Sequence, residues 1–154
     1  MDNRRPIEAL LWCIAFPGFG QFLNGKYFKG VVLLFLEFVI NMGSHLNQVI
    51  RLSFLGEIQQ AIEMANFQWL MFYPCVYMFG IWDAYKDAGG GRTPIAYLPF
   101  VLSAYFGTVG VIYSSQLQLF NVLLGPVWLP MLFAFCGIAI GILVRYVLIK
   151  TIVR

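Results

Sequence analysis

The stretch FPGFGQFLNGKYFKG, Phe16 to Gly30, sets one proline, four glycines and two lysines between two apolar runs. Its reading decides how the chain is laid out. Pro17 removes a backbone donor and disfavours helix just before it, while Gly18 and Gly20 accept positive φ. A chain arriving along Ala9 to Phe16 can therefore turn back within the stretch instead of running on.

What surrounds the turn suits lipid. Of the 154 residues 60% are hydrophobic and 11% charged, and the mean hydropathy is +0.78; an ordinary soluble domain carries about 25% charged residues. A membrane-crossing helix needs about 20 mostly apolar residues. Four apolar segments with their interfacial flanks meet that need, at 30–44, 68–86, 95–115 and 127–149. The chain is expected to be one all-α integral membrane domain, 1–154, multi-pass in a plasma membrane. Arg4 and Arg5 ahead of Ala9 to Phe16 mimic a signal peptide, but Glu8 interrupts the run, Pro17 and Gly18 break it, and no small-x-small cleavage site follows.

Orientation follows from charge, because cytoplasmic flanks carry excess Lys and Arg. With the C-terminus cytoplasmic, Arg145, Lys150 and Arg154 lie inside together with Lys86, Arg92, Lys26 and Lys29. If Arg4 and Arg5 are also inside, nine of the ten basic residues are cytoplasmic and only Arg51 is outside. That count requires residues 6–30 to begin and end on one side, as a re-entrant or interfacial hairpin followed by four crossings. Backbone of that kind at membrane depth must pack against protein. The alternative is five crossings with the N-terminus outside, which leaves seven of ten basic residues inside.

Residues 45–67 carry Arg51, Glu57 and Glu63 and several amides, so they are not a crossing. Leu46, Ile50, Phe54, Ile58, Ile62 and Ala65 recur at three- and four-residue steps, the pattern of one external amphipathic helix. The stretch SSQLQLFN is expected to be an external loop. Ser103 and Gly107, and Gly137 and Gly141, repeat small residues at four-residue steps in the last two crossings, which lets helix backbones approach closely. Such faces serve packing within the chain or homo-oligomerisation. Cys13, Cys75 and Cys136 stand singly in apolar segments and read as packing residues.

The intramembrane polar residues each demand a partner or a purpose, since a charge at a helix centre costs about 2.5–3.5 kcal/mol on insertion scales. Glu37 and Asn41 lie one helical turn apart. They form either a polar patch able to take a cation or proton, or a hydrogen-bonded packing point. Asp83 near one helix end is expected to pair with Arg145, Lys26 or Lys29. An enzyme is not expected. The one histidine, His45, has no neighbouring carboxylate, and DAGGGR lacks the GK[ST] ending of a phosphate loop. Neither cofactor nor metal is expected, and the dispersed basic residues give no nucleic-acid surface.

The turn residues carry one resemblance. Pro17, Gly18, Gly20, Phe22, Asn24, Gly25 and Gly30, with Trp82 and Asp83 of GIWDAY, resemble the turn signature and later tryptophan–aspartate stretch of the TM2-domain family, in a divergent bacterial form. The match covers about a third of the chain. Gln21 stands near a usual His position, Leu23 replaces a Tyr, and residues 45–67 are an insertion. The resemblance implies small helical membrane proteins that assist other membrane proteins. Together these observations point to an accessory or assembly subunit with a membrane-protein partner. A small oligomeric channel or transporter using Glu37 and Asn41 is the alternative.

Overall fold

The computed structural model describes residues 4–152, and Arg154, counted above among the cytoplasmic charges, lies outside them. The described chain is almost wholly helical: α1 Arg4–Ala15, α2 Phe19–Leu23, α3 Tyr27–Ser44, α4 Leu46–Phe54, α5 Ile58–Met64, α6 Phe67–Leu70, α7 Tyr73–Asp87, α8 Leu98–Tyr113 and α9 Gly125–Ile152. Two helices, Tyr27–Ser44 and Gly125–Thr151, are long and apolar enough to cross a membrane; Leu98–Tyr113 is apolar but shorter.

Glycines end three of the helices in the same way. After α2, α4 and α7 a glycine takes positive φ (Gly25 at 70°, Gly56 at 79°, Gly89 at 91°). Each glycine bonds back three residues, and the next residue bonds back five: Lys26 to Gln21, Glu57 to Leu52, Gly90 to Tyr85. This paired arrangement satisfies carbonyls that a helix end leaves orphaned.

The expected single helix over 45–67 is therefore corrected. Gly56 breaks it into α4 and α5, and α6 follows an extended Ala65 and Asn66, whose side chain accepts from Gln68 N. The break shifts the buried face. Leu46, Val49, Leu52 and Ala61 are buried while Phe54 is exposed, its ring tilted against Trp128 with centroids 4.6 Å apart. The segment caps the start of α9, with the Trp128 indole N–H donating to Ser53 O at 3.2 Å. The expected SSQLQLFN loop is also refined. It contains a short hairpin, β1 Gln118–Leu119 against β2 Val122–Leu123, turned by Phe120 and Asn121, both at positive φ.

Helices α8 and α9 run antiparallel in close contact through their small residues. A Cβ on Gly110 would meet Pro130 Cα at 2.7 Å, one on Gly137 would meet Leu102 and Ser103 backbone at 2.8 Å, and one on Gly141 would meet Pro99 N at 2.9 Å. The faces of Ser103, Gly107, Gly137 and Gly141 are thus consumed within the chain, with Gly107 against Pro74 and Ala134.

Helix α7 is the reference for the N-terminal half. Along α3, Lys29 meets Asp83 and Asp87, Leu33 lies beside Gly80, and Gly43 lies under Trp69, so the two helices are antiparallel. Helix α1 also runs antiparallel to α7, from Ala9 beside Ala84 to Ile14, whose carbonyl accepts from Tyr77 Oη at 2.6 Å. The chain then reverses at Pro17 and Gly18 (φ 101°), and Asn24 returns to Ala84. Residues 9 and 24 therefore sit at the same level of α7. The hairpin descends seven residues of α7, about 10 Å at 1.5 Å per residue, and comes back.

Candidate functional site

The hairpin is held by a polar network at the Asp87 end of α7. Gln21 is fully buried. Its Nε2 donates to Gly80 O at 2.8 Å and to Asp83 Oδ2 at 3.3 Å, and its Oε1 accepts from Cys13 Sγ at 3.3 Å. Asn24 Nδ2 donates to Ala84 O at 2.8 Å. Lys29 Nζ bridges Asp83 Oδ1 and Asp87 Oδ2, both at 2.7 Å. The two aspartates are one turn apart on the same face of α7 and near its C-terminal end, where the helix dipole disfavours negative charge, so the lysine offsets both effects.

The glycines let this network close. A Cβ on Gly20 would collide with Ala9 O, lie 2.6 Å from Cys13 Sγ and 2.8 Å from Ala84 Cβ. One on Gly18 would lie 2.8 Å from Gly30 O, and Gly30 lies under the Phe22 ring. Pro17 is buried at the reversal. Gly25 faces open space and is needed for its φ alone.

Of the two expected pairings, one forms with a partner named for it and the other changes partner. Asp83 pairs with Lys29, whereas Arg145 donates to Pro94 O at 3.2 Å and to Thr93 Oγ1, tying α9 to the loop after α7. Asn41 turns from Glu37 to bond Asn47 Oδ1 at 3.0 Å, because the left-handed His45 folds the start of α4 back toward it. Glu37 instead faces α7, with Tyr73 beside it. Glu37 is 6% exposed, and its Oε2 has no hydrogen-bond partner. The sequence reading passed over Gln21 and the link from Lys29 to Asp87. The spacing of Asp83 and Asp87 was the available signal. Cys13, taken as a packing residue, is buried and also bonded to Gln21.

Among the described residues the interior is mostly apolar but holds six polar side chains, and the exterior is rich in large apolar ones. Gln21, Glu37, Ser44, Ser53, Ser103 and Ser114 are buried, while Phe28 is 82% exposed, Phe35 65% and Phe135 63%. Among the described residues no group of three or more His, Cys, Asp or Glu converges as a metal site.

No family model, curated protein or solved structure matches the chain.

Proposed function

We propose that the chain is a multi-pass protein of a bacterial plasma membrane, with a re-entrant N-terminal hairpin, four crossings supplied by α3, α6 with α7, α8 and α9, and a cytoplasmic C-terminus. The observation that carries this is the apolar exterior: large aromatic and aliphatic side chains face outward along the helices, while Gln21, Glu37 and four serines are buried. Within that setting it serves as a non-enzymatic accessory or assembly subunit, the role that TM2-like proteins suggest. The internal bonding of Gln21, Asn24, Lys29, Asp83 and Asp87 supports the reading, since these groups are spent on holding the hairpin. The small-residue faces of α8 and α9 are occupied, so the partner surface is the outward face of the hairpin, with Trp12, Phe16 and Phe19 exposed on it.

The test is affinity capture of the tagged protein from its native membrane in mild detergent, beside a Phe22→Ala, Asn24→Ala variant that stays monodisperse. A stoichiometric membrane-protein partner lost by the variant is expected. Recovery of the protein alone as a defined homo-oligomer would overturn the accessory role and favour the channel reading, to be followed by proteoliposome flux with Glu37→Gln.

A further inference from the structure

We propose that Glu37 is a reversible proton-binding site built into the seam between α3 and α7. The proposal goes beyond the accessory role and rests only on the membrane placement of α3. A carboxyl group in the middle of an apolar helix, 6% exposed and with Oε2 unpartnered, is either neutralised by a proton or held as an uncompensated charge. Among the described residues no cationic side chain acts on it. Of the elements packed on α3, α2 and α6 contain no titratable residue, Arg51 of α4 is exposed, and α7 brings Tyr73 and Tyr77. The proton is thus the smallest and chemically sufficient ligand. It binds at Oε2 as an O–H bond of hydronium breaks and leaves by the reverse step, returning to bulk water.

Other polar groups lie near the seam. Tyr73 and Tyr77 stack with ring centroids 5.5 Å apart, one turn from each other on α7. The Tyr77 hydroxyl reaches Ile14 O, next in sequence to Cys13, which is bonded to Gln21; Gln21 bonds Asp83, and Asp83 pairs with Lys29. Polar groups are thus spaced along α7 between the buried carboxyl and the Lys29 cluster, without forming one hydrogen-bonded chain. On the opposite side, Asn41 is engaged with Asn47.

The experiment is polarised infrared spectroscopy of the full chain reconstituted in bilayers, titrated with pH and repeated in D2O, comparing wild type, Glu37→Gln and Tyr73→Phe. Expected is a carboxylic-acid C=O band that is lost in Glu37→Gln, shifts in D2O, falls as pH rises, and changes frequency but persists in Tyr73→Phe. Absence of any band separating wild type from Glu37→Gln across the titration would overturn the proposal. So would a band that responds to neither pH nor D2O, which marks a fixed hydrogen-bond group. Should Glu37→Gln fail to fold, the D2O shift, the pH response and the Tyr73→Phe displacement still decide. The amide dichroism of the same films reports whether the helices are inserted, so failure of membrane placement and failure of proton binding give different results.

Discussion

Gly20 shows how one missing methyl group sets the geometry of the hairpin. It stands where α2, α1 and α7 meet, against Ala9 O, Cys13 Sγ and Ala84 Cβ, and the backbones cannot approach with a side chain between them. Gly20→Val is expected to cost about 1–3 kcal/mol, the usual range for overpacking a close contact. Gly25→Ala, strained only by its φ of 70°, is expected to cost about 1 kcal/mol. Thermal unfolding midpoints in detergent should rank wild type, Gly25→Ala and Gly20→Val in descending order; equal midpoints for the two variants would deny Gly20 its special place. Gln21 illustrates what single residues conceal. Its composition class says only that an amide is present, and its two partners on α7 lie 59 and 62 residues away. Local sequence carries no trace of such separations.

The hairpin as an element is fastened at its open end by Lys29, while its closed end is wedged by Pro17 beside Gly80. Lys29→Met should therefore loosen α1 and α2 without unfolding the bundle. Because Lys29 is nearly half exposed, the loss is expected to be about 1 kcal/mol, which corresponds to a several-fold rise in transient opening. Cys13 lies beneath the hairpin, so in a Cys75→Ala, Cys136→Ala background its rate of maleimide modification should rise by about that factor; an unchanged rate would mean the ion pairs do not control opening. At this scale the sequence was informative about where helices start and stop. Pro17, Gly18 and the apolar runs marked α3, α8 and α9 within three residues, whereas the expected 68–86 segment is divided by a turn at 71–72 into α6 and α7. It misled at 45–67, where apolar residues keep a helical period across Gly56 although the chain turns there. Periodicity records which residues are apolar, and it is blind to a break that preserves the count.

For the whole molecule, the placement of residues 9 and 24 at one level of α7 translates into sidedness. Single cysteines replacing Arg5, Lys26 and Lys86 in a cysteine-free chain are expected to react with a membrane-impermeant maleimide from the same face, and one replacing Asn121 from the other. Arg5 reacting together with Asn121 would instead establish five crossings. The α8–α9 contact makes a second prediction at this scale. Gly137→Leu must displace α9 from the Leu102 backbone and is expected to lower stability by about 1–3 kcal/mol, read as a lower unfolding midpoint, while leaving the Lys29–Asp83 end intact by the Cys13 assay. The inward polarity of Gln21, Glu37 and Ser103 could not be read from composition. The sequence fixes how many polar groups there are, and only the packing of helices distant in the chain decides which way they face.

The fastening of the hairpin by α7 has a consequence for how the protein is made. Lys29 leaves the ribosome more than fifty residues before its partners Asp83 and Asp87. Until α7 arrives, the newborn hairpin has neither ion pair nor the carbonyls of Gly80 and Ala84 to hold it. On the proposed membrane placement, insertion is expected to be staged: α3 is laid down first, the hairpin waits undocked beside it, and the emergence of α7 folds the N-terminal segment into place. A nascent chain arrested before Asp83 would expose Cys13, and one arrested well beyond Asp87 would hide it.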